Sequence, residues 1–199
     1  MEKAAHREGL LIIISGPSGV GKGTIRRNVM ADGGLNLVYS VSMTTRPRRE
    51  TEVDGVDYFF VSREEFDDNL KKGNFLEWAE FVGNRYGTPK HYVDELRAQG
   101  KNVVLEIEVE GTKQVLSRCK GSNVVSIFVI PPSYEDLEAR IRHRSTEPED
   151  IIQKRLQKAR KEMHLKYHYE YVVLNDRPDR AGREIREIIR NKLDAKLIK

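Results

Sequence analysis

The chain has 199 residues, of which 38% are hydrophobic and 33% charged, with 35 Lys and Arg against 31 Asp and Glu. This length fits one domain with a sizeable core, and the longest apolar runs are too short to span a bilayer. The single cysteine, Cys119, excludes an internal disulfide, so we expect a soluble protein of the reducing cytoplasm. The net charge of +4 is spread among interspersed charges of both signs, which disfavours a nucleic-acid partner.

The first element is an apolar run that ends in a glycine-rich turn, and residues 10–24 read LLIIISGPSGVGKGT. Glycines let the backbone amides of such a turn face inward as a nest for phosphate oxygens, and the start of the next helix adds its positive end. The alternative is a Gly-rich surface turn. The pattern predicts a triphosphate site made by Gly16, Pro17, Ser18, Gly19, Val20, Gly21, Lys22, Gly23 and Thr24.

The turn departs from G-x-x-x-x-G-K-[ST] at one position. Gly23 stands where a hydroxyl is expected, and the hydroxyl follows at Thr24. Thr24 is therefore the candidate metal contact, either directly or through water, and the sequence leaves the metal ligand open.

Five apolar runs separated by helical segments predict a parallel sheet covered on both faces. They are residues 10–15, 37–41, 103–107, 124–130 and 171–174. Two stretches interrupt the alternation. Residues 42–92 are rich in Arg, Tyr, Glu and Gly with short strand-like pieces, and residues 133–168 are basic and almost wholly helical. A final helix is expected over 180–197.

Several separated motifs in this order resemble those of the guanylate kinase family. They are SMTTRPRR at 42–49, GVDYFFV at 55–61, FLEWA at 75–79 and RYGT at 85–88, and the likeness runs from the first strand through Asp176. The resemblance implies an α/β fold of the P-loop NTPase type, with three α/β/α layers and a parallel core sheet. It implies one domain over 1–199 with a core of about 1–41, 93–132 and 169–199, a mixed α/β GMP-binding insertion of about 42–92 and a helical lid of about 133–168.

The resemblance also implies the activity: reversible in-line transfer of a phosphoryl group from ATP to GMP, and to dGMP as a lesser substrate, in purine nucleotide metabolism. Mg²⁺ accompanies the ATP. The expected partners are these two nucleotides, with no nucleic acid and no membrane, and the chain is a monomer or a homodimer. Two alternatives remain: a guanylate-kinase-like interaction module without turnover, and an adenylate-specific kinase.

The resemblance assigns the guanine base to Glu77 and Ser42, assisted by Thr88. Guanine has neighbouring donors at N1 and N2 and an acceptor at O6, which suit a carboxylate and a hydroxyl, whereas adenine would place an acceptor against the carboxylate. A solvated carboxylate on a strand is the alternative for Glu77. Glu106 and Glu108 end the third apolar run, where ligands collect in parallel sheets, and could hold the base or steer a metal through water. A surface strand with alternating Glu is the alternative there.

The resemblance assigns the GMP phosphate to Arg46, Arg49, Tyr58 and Tyr86. Two guanidinium groups three residues apart can converge on one dianion. A solvated arginine run and two core aromatics are the alternatives.

In the basic helical stretch, Arg140 and Arg144 lie one turn apart and Arg155 follows on the next helix. They match the lid arginines of the family. Lys22, Arg46, Arg144 and Arg155 are the predicted catalytic residues, because positive charge supplies most of the acceleration in phosphoryl transfer. Asn175 is assigned to the adenine of ATP, with a turn-forming asparagine as the alternative. The other basic residues of this stretch are expected to form a solvated face or a loose anion field; they are Arg142, His143, Lys154, Lys158, Arg160 and Lys161.

Overall fold

The computed structural model describes residues 8–81, 83–119, 121, 123–144 and 148–197. In chain order its elements are β1 (Leu11–Ser15), α1 (Lys22–Met30), β2 (Leu37–Tyr39), β3 (Met43–Thr44), β4 (Phe59–Phe60), α2 (Arg63–Lys71), β5 (Phe75–Phe81), β6 (Asn84–Pro89), α3 (Lys90–Ala98), β7 (Asn102–Glu106), α4 (Val109–Arg118), β8 (Val124–Ile130), α5 (Tyr134–Arg144), α6 (Glu149–Met163), β9 (Tyr171–Leu174) and α7 (Pro178–Leu197). Short 3-10 turns lie at Gly33–Leu35 and His164–His168.

The five predicted apolar runs are the five strands of one parallel sheet, ordered β2-β7-β1-β8-β9. Every residue of the central strand β1 is buried, because helices cover both faces of the sheet. Ile12 and Ile14 join the larger apolar cluster with residues of α1 and α7. Leu11 and Ile13 join the smaller cluster on the opposite face. This is the predicted three-layer arrangement.

The 42–92 stretch carries a second sheet, ordered β4-β3-β6-β5, with antiparallel β5–β6 and β3–β6 pairs and a parallel β3–β4 pair. Its core includes Phe66 of α2, which is fully buried and stacks on Phe75 with ring centroids 4.5 Å apart. Ser62 caps α2 by accepting the Glu65 backbone N–H at 3.1 Å. The register pairs Glu77 with Thr88 and so brings both side chains to one place.

The basic stretch is helical as predicted, with α5, α6 and the second 3-10 turn. The final helix starts at Pro178, two residues before the predicted start, because proline fits the first helical turn, where its missing N–H costs nothing. Among the described residues, no helix has the length and apolar character needed to cross a membrane.

Candidate nucleotide site

The glycine-rich turn connects β1 to α1 with backbone angles that only glycine adopts easily. Gly16 has φ +147°, and a Cβ there would stand 2.5 Å from the Val129 carbonyl oxygen. Gly21 has φ +99°, and a Cβ there would stand 2.8 Å from the Asn175 Nδ2. The turn is therefore a close-packed bend between β1 and α1 that lies against β8, and the surface-turn alternative is wrong.

Lys22 opens α1, and its side chain folds back over this turn. Its Nζ donates to the Gly16 carbonyl at 2.7 Å and to the Pro17 carbonyl at 3.3 Å. Loss of solvent lowers the pKa of Lys22, while the nearby carboxylates of Glu108 and Glu106 act in the opposite direction. The ammonium group is thus held at a cavity of about 290 Å³ whose lining comprises Ser18, Gly19, Gly21, Lys22, Gly23, Glu106, Ile107 and Glu108.

A second cavity of about 320 Å³ lies between the two sheets. Its lining comprises Tyr39, Ser42, Tyr58, Glu77, Ala79, Glu80, Tyr86, Glu106, Ile107, Glu108 and Gly111. Six residues predicted to bind GMP are among them. A seventh, Thr88, contacts the cavity residue Glu77. Glu106, Ile107 and Glu108 line both cavities. The two cavities therefore share a wall at the carboxyl end of β7.

Glu77 is buried in the second cavity, with 6% of its surface exposed. Its Oε1 accepts the Thr88 hydroxyl at 2.6 Å. Gly111 lets α4 approach, since a Cβ there would stand 2.5 Å from the Glu77 Oε2. Burial raises the pKa of Glu77 above its ordinary value. The alternative of a solvated carboxylate is wrong, and the buried group is set to accept donors from within the cavity.

Arg46 and Arg49 meet at an acid that the sequence analysis missed, Glu52. Arg46 Nη2 donates to Glu52 Oε1 at 2.6 Å, and the Arg49 backbone N–H donates to Glu52 Oε2 at 2.9 Å. The Arg46 guanidinium lies 5.5 Å from the Tyr58 ring centroid. Tyr58 and Tyr86 meet edge to face at 6.0 Å. The structure thus places Arg46 beside the tyrosines of the cavity, while Arg49 is exposed.

The two carboxylates at the shared wall are each bound by a cation from another element. Glu106 is the last residue of β7, and its Oε2 accepts Arg26 Nε at 2.8 Å. Glu108 is the N-cap residue of α4 and binds Lys158 Nζ at 2.5 Å. The alternating-strand alternative for Glu108 is wrong because the strand has already ended. Lys158 is exposed, as expected for a solvated face, but its pairing with Glu108 was not predicted.

The side chains predicted for the lid and adenine connect to the back of the glycine-rich turn. Asn175 is buried, and its Nδ2 donates to the Val20 carbonyl at 2.7 Å. Arg140 donates to the Val20 carbonyl at 3.2 Å and to the Asn175 carbonyl at 3.0 Å. Asn175 is therefore more than a turn former, since it ties the end of β9 to the turn.

Three further predicted residues have different outcomes. Arg155 Nη2 donates to the Ser18 hydroxyl at 3.2 Å, so α6 contacts the turn. The Thr24 hydroxyl accepts Arg27 Nη2 at 3.2 Å on the exposed side of α1. Arg144 ends α5, and its side chain lies outside the described residues.

Residues around the site that were not predicted from the sequence include Arg26, Tyr39, Glu162 and Glu52. Glu162 of α6 is buried, lies 3.8 Å from Lys158, and accepts the Ser18 backbone N–H. Burial raises the pKa of Glu162. One signal was available, since Glu162 lies one helical turn after the apolar Ala159 of α6.

Known proteins resemble the chain over most of its length. The family model described as guanylate kinase matches residues 8–192. A guanylate kinase of Mesoplasma florum is 52% identical over 182 residues, which are 92% of this chain and 61% of that protein. A guanylate kinase of Malacoplasma penetrans is 47% identical over 188 residues, which are 94% of this chain and 96% of that protein.

The crystal structure of guanylate kinase from Anaplasma phagocytophilum has a TM-score of 0.74 with this structure at 31% identity. The match covers 94% of this chain and 87% of that chain. The resemblance and the fold class inferred from the motifs are thereby confirmed. The chain belongs to the guanylate kinase family.

Proposed function

We propose that the chain transfers the γ-phosphoryl group of ATP to GMP, reversibly and in line, with dGMP as a lesser acceptor. The observation that carries this proposal is the wall shared by the two cavities, formed by Glu106, Ile107 and Glu108. ATP in the cavity of the glycine-rich turn and GMP in the second cavity would meet there with their phosphates facing one another. Holding both reactants in this way converts a bimolecular step into an effectively unimolecular one.

Selectivity for guanine would come from Glu77. Its Oε1 is fixed by Thr88 and its carboxylate faces a cavity also lined by Ser42. An ionised carboxylate accepts from guanine N1–H and N2–H, and the Ser42 hydroxyl can donate to O6. Adenine would set its N1 lone pair against the carboxylate, so the same groups would reject AMP.

The GMP phosphate would lie between Arg46, Arg49 and the hydroxyls of Tyr58 and Tyr86. Glu52 orients Arg46. The guanidinium group of Arg46 has five N–H donors, and it donates to Glu52 and to the Pro47 carbonyl. The remaining donors suit phosphate oxygens. Arg49 is exposed, so its guanidinium would have to swing inward over the phosphate.

On the donor side, the amides of the glycine-rich turn and Lys22 would bind the ATP phosphates. Lys22 already lies over the turn, and Arg155 reaches Ser18 from α6. With Arg46 and Arg144, they would balance the charge that spreads over the transferred group. Arg140 and Asn175 would form the adenine end of the site. The phosphate of GMP is itself the nucleophile, so the transfer needs neither a general base nor a phosphoenzyme.

Nucleotide kinases generally use Mg²⁺ with ATP, and the oxygen donors around the turn fit that ion. Mg²⁺ prefers oxygen ligands and keeps several waters, so one or two protein contacts beside the phosphates suffice. Thr24, Glu106 and Glu108 would supply them, directly or through water. When bound, the ion would neutralise charge on the β- and γ-phosphates.

We further propose that residues 42–92 form the GMP-binding insertion, 133–168 the lid, and the remainder the core. The second sheet carries Glu77 and Tyr86, whereas α5 and α6 carry Arg140 and Arg155, which supports this division. Closure of both parts would exclude water that otherwise hydrolyses ATP.

A coupled assay of ADP formation tests the function. We expect turnover with GMP, weaker turnover with dGMP, and none with AMP. ADP formed with AMP and not with GMP would identify an adenylate-specific kinase. If no ADP forms with any of the three acceptors, the proposal is refuted and the chain would be an interaction module without turnover.

A further inference from the structure

Arg26 of α1 reaches the shared wall of the two cavities. Its Nε donates to Glu106 Oε2 at 2.8 Å, and both side chains are about three-quarters buried, with 25% and 21% exposed. Its guanidinium also stacks on the Tyr39 ring, 4.0 Å from the centroid. The ion pair therefore has a fixed geometry, held by three separate elements.

The pair holds the Glu106 carboxylate beside Gly23. Oε2 is bound to Arg26, and both oxygens lie near the position that a Cβ on Gly23 would occupy, Oε1 at 3.5 Å and Oε2 at 3.8 Å. Gly23 belongs to the first turn of α1 and lines the donor cavity. Arg26 thus holds the Glu106 carboxylate beside the start of the helix that follows the glycine-rich turn.

Charge gives this orientation a consequence for binding. Glu106 and Glu108 both line cavities that, under the proposed function, accept anionic nucleotides. An unbalanced carboxylate there would repel phosphate groups. Lys158 balances Glu108, and Arg26 balances Glu106. The Tyr39 phenol has no cationic form, so the charge that compensates Glu106 comes from Arg26.

We propose that Arg26 is a positioning residue for nucleotide binding and transfer, which acts by holding and neutralising Glu106 where the two cavities meet. This inference rests on the proposed function, because it assumes that phosphorylated nucleotides occupy those cavities. Arg26 need not touch either nucleotide. Its whole effect passes through Glu106, which makes the inference testable by a double-mutant cycle.

The experiment measures the affinities of GMP and ADP by calorimetry without divalent cations, together with kcat and KM for GMP. The variants are R26A, R26K, E106Q and R26A/E106Q, with R183A as the control. Arg183 pairs with Asp179 at 3.2 Å on the exposed face of α7, so its loss removes an arginine ion pair away from the cavities. Thermal melting establishes that each variant is folded.

We expect R26A to weaken both nucleotides by about tenfold, a coupling typical of residues in one ion pair. R26K keeps the charge and should lose less, and R183A should match the wild type. In the E106Q background the Arg26 effect should disappear, so that R26A/E106Q binds within about threefold of E106Q, well inside the coupling range.

Any of three results would overturn the inference. They are unchanged nucleotide affinity in R26A, equal losses of affinity in R26A and R26K, and an effect of R26A that persists in the E106Q background. If R26A does not fold, the same cycle run with R26K, whose shorter reach weakens the bond to Glu106, decides it. A wild-type protein that binds neither nucleotide would refute the proposed function instead, since that result does not involve Arg26.

Discussion

The substitution Glu77→Gln separates guanine recognition from every other property of the site. The glutamine retains the shape of the side chain and an oxygen that can accept the Thr88 hydroxyl, which now lies 2.6 Å from Glu77 Oε1. It removes the negative charge, and its amide N–H₂ then faces the guanine donors. The cavity and its other lining residues are unchanged.

The size of the effect follows from burial. Glu77 is 6% exposed, so water cannot replace the lost interactions. A hydrogen bond to a charged group contributes about 1.5–3 kcal/mol, and two guanine donors are involved, so the loss is about 3–6 kcal/mol. This corresponds to GMP binding that is weaker by roughly two to four orders of magnitude. Adenine N1 could accept from the new amide, so AMP should bind better than it does to the wild type.

Calorimetry of GMP and AMP with the substrate-free protein measures both effects. Glu80→Gln is the matched control, because Glu80 lines the same cavity but is 46% exposed and pairs with Arg85 at 3.4 Å. Its loss should change GMP affinity by less than about 1 kcal/mol. Equal losses in the two variants, or wild-type GMP affinity in Glu77→Gln, would remove Glu77 from the base site.

Three further outcomes are expected. Lys22→Ala should lower kcat by about a hundredfold or more, because the lysine stabilises the charge on the transferred group. GMP affinity measured by calorimetry should be nearly unchanged. Equal losses of kcat and of GMP affinity would refute this division of roles. Burial raises the pKa of Glu77 above its ordinary value of 4.5. The contribution of Glu77 to the free energy of unfolding is therefore greatest below pH 4.5 and falls as the pH rises through the pKa of the folded state. Substrate-free Glu77→Gln should melt at a higher temperature than the wild type at neutral pH, and this difference should shrink towards pH 4. Phe66→Ala should cost about 3–5 kcal/mol in urea unfolding, because the ring is fully buried against Phe75, whereas Val53→Ala at an exposed loop position should cost little.

The sequence predicted the core sheet because its strands are buried on both faces. Residues 11–15 are all apolar except Ser15, and such a run has few other environments. The glycine-rich turn was equally readable, because its backbone angles require glycine at Gly16 and Gly21. In both cases the prediction depends only on residues that are adjacent in the sequence.

The ion pairs around the site could not be read in the same way. Arg26 and Glu106 are 80 positions apart, and Lys158 and Glu108 are 50 apart. Which basic residue meets which carboxylate depends on the sheet order and on where α6 lies. A charge run on a helix resembles a solvated face until that packing is known, which is why the pairing of Lys158 with Glu108 was not predicted.

The two cations that balance the shared wall come from different parts of the proposed enzyme. Lys158 lies on α6, within the proposed lid, so a lid movement that separates α6 from α4 would break its bond to Glu108 and leave that carboxylate facing the cavities. The phosphate of an incoming nucleotide would then be repelled by the unpaired Glu108 carboxylate, whereas with the lid closed Lys158 neutralises that carboxylate. Arg26 lies on the core helix α1, so Glu106 stays balanced whichever position the lid takes. Of the two carboxylates at the shared wall, Glu108 is therefore the one whose charge balance depends on the position of the lid.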